Sequence, residues 1–157
     1  MNELDLQHLR GVIDIAARAR THGNHPFGAL LTDANGMVLL EAENTVVTNR
    51  DCTGHAETNL MRLASSKFEP ELLASCTMYC SCEPCAMCSG AIYWGNVGRV
   101  VYALSEQNLY SMTGAHPENP TLKLPCRDLF AHGQRAIRVE GPAIEIEAAQ
   151  VHEGFWK

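Results

Sequence analysis

Residues 79–88, which read Tyr-Cys-Ser-Cys-Glu-Pro-Cys-Ala-Met-Cys, are the stretch around which this chain is organised, together with His-Ala-Glu at residues 55–57. Cys85 and Cys88 are separated by two residues and follow a proline, and upstream of them a histidine stands two places before a glutamate. These residue types offer three ligands that zinc prefers, one imidazole and two thiolates, and one further carboxylate. The pattern therefore outlines a catalytic zinc site.

The residues around this motif predict a strand, a helix and a second strand. Residues 76–81 form an apolar run typical of a buried strand, and proline at a first helical position predicts a helix over residues 84–94. Residues 98–103 form the second strand, and a succession of this length implies a right-handed parallel crossover. Cys85 and Cys88 then share one helix face at the carboxyl end of a strand, where ligands bind in such sheets.

Upstream, apolar residues at helical spacing predict an amphipathic helix over residues 4–22. Two apolar runs, 26–32 and 37–44, flank an Asn-Gly turn and predict a hairpin. Another helix is predicted over residues 55–66, with Thr53 as a plausible cap. Residues two apart on a helix do not face the same way, so the histidine and glutamate of residues 55–57 are expected to play different parts: one binds the ion while the other reaches past it.

The second half of the chain is less informative. It suggests helices near residues 105–112 and 124–133, a strand at 136–139 and a final helix over 144–156. That helix closes with the aromatic pair Phe155 and Trp156. The pair either packs on the body of the domain or on a second subunit, or it covers the site.

Composition limits the classes of function. The chain has 157 residues, of which 46% are hydrophobic and 19% charged, which suits one domain over residues 1–157. The start lacks the basic residues of a signal peptide and no apolar run approaches a membrane span of about 20 residues, so we expect a cytoplasmic protein. Seven cysteines, five of them between residues 76 and 88, suit reduced thiols and metal better than disulfides. A net charge of −6 disfavours a nucleic acid as partner and favours small molecules.

Three kinds of site compete for the cysteine cluster. Cys82, Cys85 and Cys88 match an iron–sulfur spacing, but the fourth ligand of that pattern falls on Ile92. A closed structural zinc site would need Cys80 or Cys82 as its fourth ligand. An open site of three protein ligands leaves one position for water, and the nearby glutamate favours this catalytic form.

The chemistry of an open site follows from general principles. Zinc lowers the pKa of a bound water from about 15.7 to about 7, which makes a nucleophile available at neutral pH. Glu57 can take the proton of that water and pass it first to a ring nitrogen and then to a leaving amine. The expected reaction is attack on the amino-bearing carbon of a heterocycle, which releases ammonia and leaves a carbonyl.

These residues resemble a known family. His55-Ala56-Glu57 followed by Pro84-Cys85-Ala86-Met87-Cys88 is similar to the signature of the zinc-dependent cytidine and nucleobase deaminases. The resemblance covers roughly residues 26–103 and looks closest to bacterial guanine deaminases and tRNA adenosine deaminases.

The resemblance implies a three-layer α/β/α fold with a central mixed five-stranded sheet, and usually a homodimer. It also implies one zinc ion on His55, Cys85 and Cys88, with Glu57 as the proton shuttle. For the substrate it implies Asn44 as a hydrogen-bonding partner, the backbone N–H of Ala56 at the substrate oxygen, and Phe27 and Trp94 as walls that stack on the ring.

The resemblance leaves the substrate open. Residues 26–29 and 81–85 are similar to guanine deaminases, so a guanine-type purine is favoured among free bases and nucleosides, with cytosine-type heterocycles as further candidates. Residues 51–54 read Asp-Cys-Thr-Gly where both relatives commonly have Asp-Pro-Thr-Ala, and residues 110–114 replace an acidic segment of the guanine deaminases. A tRNA adenosine deaminase and a zinc-stabilised binding module without turnover are the alternatives.

Overall fold

The strand, helix, strand unit predicted from the motif forms the middle of the protein, whose computed structural model describes residues 1–157. β3 (Thr77–Cys82) and β4 (Arg99–Leu104) are parallel neighbours joined through α5 (Ala86–Trp94). All six residues of β3 are buried, as expected for a strand in the centre of a parallel pair. This unit brings Cys85 to the carboxyl end of the sheet.

The predicted hairpin extends the sheet on one side. β1 (Gly28–Thr32) pairs antiparallel with β2 (Val38–Glu43) and with β3. The turn between β1 and β2 contains Gly36 at a φ of +83°, a conformation that glycine adopts without strain. A short strand, β5 (Arg138–Glu140), runs parallel to β4 and completes the order β2-β1-β3-β4-β5. The sheet is therefore mixed and five-stranded, as predicted.

Helices cover both faces of this sheet. Successive side chains of a strand point to opposite faces, so one strand contributes to an apolar cluster on each side. Val100 and Tyr102 of β4 belong to one apolar cluster, and Val101 and Ala103 belong to the other. The first cluster includes residues of α3 (Ala56–Lys67), α4 (Pro70–Ser75), α5 and α7 (Cys126–Ala131). The second includes residues of α1 (Glu3–Thr21), α6 (Glu106–Thr113) and α8 (Glu145–Gln150). A four-residue helix, α2 (Val46–Asn49), lies between β2 and α3.

α1 is fixed to the sheet by a buried ion pair. Asp5 is 3% exposed and forms a capping box with Asn2 at the start of the helix. Arg99 of β4 donates to both carboxylate oxygens of Asp5, at 2.9 and 3.0 Å, and the hydroxyl of Tyr79 donates to Asp5 at 2.6 Å. Further along, a Cβ on Gly28 would lie 2.6 Å from the carbonyl oxygen of Val12, so only glycine allows α1 to approach β1 this closely.

Three predicted helix boundaries were wrong. His55 itself is the N-cap of α3, and Thr53 makes no capping bond to the helix. α5 begins at Ala86 with Cys85 as its N-cap, so Pro84 lies before the helix rather than at its first position. The final helix, expected to reach residue 156, ends at Gln150 and is followed by turns that include Gly154 at a φ of +65°. Those turns fold the terminal aromatic residues back on the domain.

None of the helices has both the length and the apolar character that crossing a lipid bilayer requires.

Candidate active site

Two helix N-termini bring a histidine and two cysteines together. His55 caps α3, Cys85 caps α5, and Cys88 lies in the first turn of α5. Nδ1 of His55 lies 3.7 Å from Sγ of Cys85 and 3.5 Å from Sγ of Cys88, and the three ligand atoms all lie within 4.8 Å of one another. Zinc–ligand bonds of about 2.1–2.3 Å place tetrahedral ligands roughly 3.6 Å apart, so this donor set fits a zinc ion.

The other cysteines of the motif stay outside this group. Cys80 and Cys82 are fully buried in β3, and neither belongs to the cluster that could hold a metal ion. Ile92 lies in the apolar core beneath α5. The protein therefore offers three ligands and not the four that an iron–sulfur or closed zinc site requires.

The two cysteines of the cluster have very different acidities. The pKa of the Cys85 thiol is lowered to about 4 by the neighbouring thiol of Cys88 and by His55, against the opposing effect of burial. The pKa of Cys88 is raised well above its usual value, because it lies beside Cys85 and is buried. Cys85 is therefore the more acidic of the two thiols, and a thiolate is the form in which either sulfur binds a metal ion.

Glu57 lies directly beside this cluster, at the second residue of α3. It is 5% exposed, and its Oε2 accepts a hydrogen bond from Sγ of Cys88 at 3.3 Å. Burial raises the pKa of Glu57 to about 6; the imidazole of His55 lowers it and the thiolate of Cys85 raises it further. A carboxyl group with a pKa close to neutrality can both accept and return a proton.

A small cavity of about 50 Å³ opens onto the cluster and Glu57. Phe27 and Asn44 line it, as expected for residues at the ends of β1 and β2. Oδ1 of Asn44 accepts the backbone N–H of Val46 at 3.0 Å, so the side-chain amide N–H groups remain for a ligand. Ala56 is the first residue of α3, and backbone N–H groups at that position have no acceptor within a helix.

Trp94 is the one predicted substrate contact that lies elsewhere. It is the last residue of α5, its side chain is 85% exposed, and it borders a surface groove with residues 65–70. Trp94 therefore does not line this cavity within its own chain, and the expectation that it stacks on a substrate stays a prediction. The nine-residue helix α5 separates Trp94 from Cys85.

Residues 2–104 match the family model of the cytidine and deoxycytidylate deaminase zinc-binding region. The chain belongs to the cytidine and deoxycytidylate deaminase family. It is a zinc-binding deaminase by this match, which agrees with the cluster of one imidazole and two thiols.

Three relatives of this deaminase differ in the substrates that their names give. A probable cytosine deaminase of Schizosaccharomyces pombe is 42% identical over 99% of this chain and 94% of that protein. The guanine deaminase of Bacillus subtilis is 44% identical over 50% of this chain and 49% of that protein. Its solved structure covers 71% of this chain and 69% of its own, with 33% identity and a TM-score of 0.60. A tRNA-specific adenosine deaminase of Buchnera aphidicola is 30% identical over 100% of this chain and 91% of that protein.

Two acidic residues of the deaminase's cavity had no role in the sequence analysis. Glu83 lies between β3 and α5 and is 8% exposed; its carboxylate accepts the backbone N–H groups of Glu106 and Cys126, each at 3.1 Å. Glu106, the first residue of α6, lines the cavity. A usable signal existed, since Glu106 follows β4 at the same edge of the sheet as Cys85.

The C-terminal aromatic residues of the deaminase pack over the outer wall of the cavity in their own chain. Nε1 of Trp156 donates to Nδ1 of His152 at 3.2 Å, and the two rings are stacked. Ring centroids of Trp156 lie 6.2 Å from Phe27 and 5.5 Å from His25, both of which line the cavity. The sequence left open whether these residues pack on the domain or cover the site. In the structure they pack on the domain next to the cavity.

Proposed function

We propose that this protein catalyses the hydrolytic deamination of a free aminated nucleobase, with cytosine as the first candidate. One observation carries the proposal: the cavity that reaches the His55, Cys85 and Cys88 cluster also contains Glu57 and Asn44. A metal ligand set, a buried carboxyl group and a hydrogen-bonding amide thus converge on a space that takes only a small molecule.

In this proposal His55, Cys85 and Cys88 hold the zinc ion. When bound, the ion supplies a water of lowered pKa as the nucleophile. Glu57 would accept a proton as the water oxygen bonds to the amino-bearing carbon, and would donate it to the adjacent ring nitrogen. The hydroxyl group of this adduct supplies the second proton, which Glu57 would transfer to the amino nitrogen; the C–N bond then breaks, ammonia leaves and the hydroxyl group becomes the carbonyl.

Asn44, Ala56 and Phe27 orient the base. The free amide N–H of Asn44 and the backbone N–H of Ala56 donate hydrogen bonds to the substrate's carbonyl oxygen, and the ring of Phe27 packs against the heterocycle. Because burial excludes water from this space, each of these hydrogen bonds contributes more to orientation than it would at the surface.

The probable cytosine deaminase favours cytosine, because it matches almost the whole chain at 42% identity, whereas the tRNA-specific adenosine deaminase that does so is 30% identical. The probable cytosine deaminase aligns over 99% of this chain, which includes the region after residue 104, whereas the guanine deaminase aligns over half of it. That region supplies Glu106, Leu109 and Asn119 to the cavity wall. Guanine remains the second candidate because identity to the guanine deaminase is 44% where the two align.

The test is ammonia release from a panel of cytosine, guanine, adenine and their nucleosides by the zinc-loaded protein, with a tRNA substrate assayed in parallel. The proposal expects turnover of a free base and no editing of tRNA. Turnover of tRNA alone would replace it with the tRNA adenosine deaminase alternative, which the net charge of −6 disfavours. A zinc-loaded protein that releases ammonia from none of these substrates would favour a binding module without turnover.

We also expect a homodimer. The side chain of Trp94 is 85% exposed, which is unusual for so large an apolar group and suits a surface that another copy covers. Sedimentation equilibrium measures the assembly directly, and a mass of 17.2 kDa would contradict it.

A further inference from the structure

Glu106 is a charged residue of the cavity that the mechanism above does not use. It lines the same space as His55 and Glu57, at the first residue of α6. Two contacts fix this turn of the helix: the hydroxyl of Ser105 caps it by accepting the N–H of Asn108 at 3.2 Å, and Glu83 accepts the backbone N–H of Glu106 at 3.1 Å. The backbone that carries the carboxyl group is therefore held in place beside the site.

The carboxyl group of Glu106 has no partner within the protein. It forms neither a hydrogen bond nor an ion pair, although its backbone is fully engaged. Lys123 and Arg127 line a neighbouring space that Glu106 also borders, but each is occupied elsewhere. Nζ of Lys123 lies 4.4 Å from the centre of the Tyr110 ring, and Arg127 donates to the Tyr102 hydroxyl at 2.6 Å.

The surroundings of this group are anionic. Burial raises the pKa of Glu106 to about 7, and the charges of Cys85, Glu83 and Glu57 raise it further, against a smaller opposing effect of His55. Glu106 is half-buried, and its unpartnered carboxyl group faces a cavity that the metal cluster and Glu57 also line. A ligand N–H group would satisfy Glu106.

The cavity thus presents two complementary hydrogen-bonding groups. Asn44 offers unpaired N–H donors, and Glu106 offers an unpaired acceptor. The edge of a free pyrimidine such as cytosine matches this pair, because its ring N1–H stands next to the C2 carbonyl. In the nucleoside the same nitrogen is bonded to the sugar and has no hydrogen to donate.

Resting on the deaminase function proposed above, we propose that Glu106 is the residue that distinguishes free bases from N-glycosides, by accepting a hydrogen bond from the ring N–H that a glycoside lacks. Glu106 takes no part in proton transfer to the amino group. It selects the substrate because a substituted nitrogen displaces water from the half-buried carboxyl group without offering a hydrogen bond in return.

The experiment compares cytosine with 1-methylcytosine, in which a methyl group replaces the N1 hydrogen. The wild type is expected to show a kcat/KM for cytosine at least tenfold above that for 1-methylcytosine. Glu106→Ala is expected to raise KM for cytosine about tenfold or more with kcat changed by less than about threefold, and to bring the ratio of the two substrates close to one. Glu106→Gln should give a smaller loss, since its amide oxygen still accepts.

Controls separate a specific role from a general one. Glu71→Ala removes an exposed carboxylate on α4 and should leave both substrates unaffected. Zinc content and thermal melting of Glu106→Ala should match the wild type. Calorimetric titration of cytosine into Glu57→Gln and into the Glu57→Gln, Glu106→Ala double variant measures binding without turnover. The double variant should bind cytosine about tenfold more weakly than Glu57→Gln does, in line with the expected rise in KM.

Two outcomes would overturn the inference, and they are distinguishable. An active wild type whose preference for cytosine over 1-methylcytosine survives in Glu106→Ala would remove Glu106 as the discriminating residue while leaving the deaminase function intact. A zinc-loaded wild type that neither binds nor deaminates cytosine would overturn cytosine as the substrate and this inference with it.

Discussion

Sγ of Cys88 and Oε2 of Glu57 are 3.3 Å apart and hydrogen-bonded, although 31 residues separate them in the chain. The contact joins the first turn of α5 to the first turn of α3. It places the proposed proton carrier against a proposed metal ligand, within the one cavity that reaches both Glu57 and the cluster. The carboxyl group of Glu57 therefore faces the same cavity as two of the proposed metal ligands, His55 and Cys85.

Glu57→Gln keeps the size of the side chain and removes its ability to move protons. We expect kcat to fall at least a hundredfold, the lower end of what general acid–base groups contribute, with zinc retained at one ion per chain. Ammonia release measures the first quantity and elemental analysis the second. Glu71→Gln on the exposed face of α4 is the matched control. Retained turnover in Glu57→Gln would exclude Glu57 from the mechanism.

Cys88→Ser removes one thiolate from the cluster. Loss of a residue that only hydrogen-bonds to a metal ligand typically lowers metal affinity about tenfold to a hundredfold. Cys88→Ser deletes a ligand itself, so we expect zinc affinity to fall by more than this. Competition with a chelator measures it. Cys82→Ser is the comparison, since Cys82 is as buried as Cys88 but lies outside the cluster. Equal loss of zinc in both variants would point to a fourth cysteine ligand.

Asp5→Asn breaks the buried pair between α1 and β4. Arg99 keeps its charge but faces a neutral amide with one acceptor oxygen and an NH2 group in place of the second, so we expect the free energy of unfolding to fall by about 3 kcal/mol, measured by urea denaturation. Arg99 and Tyr79 hold the pKa of Asp5 well below its usual range, against the effect of burial. The stabilisation is therefore complete above the unfolded pKa, about 4, and is lost as the pH falls below it. Glu3 is an exposed acidic residue in the same turn, so Glu3→Gln should change the free energy of unfolding little.

His152 makes the fold sensitive to mild acid. Burial, with a smaller effect of Arg20, lowers the pKa of its imidazole from 6.5 to about 4. Between these values the unfolded chain binds a proton that the folded chain does not, so stability falls as the pH falls from about 6.5 to about 4, by up to roughly 3 kcal/mol.

His152→Phe should remove this dependence. Urea midpoints at several pH values give the slope for each protein, and zinc content is measured at each pH because the metal ligands also take up protons. A variant whose stability still falls as steeply as the wild type between pH 6.5 and 4 would assign the acid sensitivity to other groups.

The local sequence predicted the elements that hold the cluster. Proline and two cysteines at fixed spacing placed a helix after a buried strand, and both exist with boundaries displaced by one or two residues. The displacement has a physical cause. His55 and Cys85 adopt extended backbone conformations as N-caps, which turns their side chains toward one point in space, whereas helical positions would have directed them along the helix surface.

The cavity wall could not be predicted in the same way. Trp94 shares the motif's helix yet does not line the cavity, while Glu106 and Asn119, which belong to no recognised motif, line it. The C-terminal residues show the same limit, since periodicity predicted a helix through residue 156 and the chain instead turns after Gln150. Trp156 then contacts His25, which is distant in sequence, as well as the nearby His152.

The sequence by itself identified the imidazole, the two thiols and the carboxyl group of the motif and most of the strands and helices in chain order, because each is marked by a pattern within a few residues. Only the tertiary structure decided which further residues enclose the substrate, because the ends of β1, β2 and β4 and the segment from α6 to Asn119 meet only when the sheet is assembled. The local motif supplies the residues proposed for catalysis, and contacts between segments distant in sequence supply the residues proposed to select the substrate.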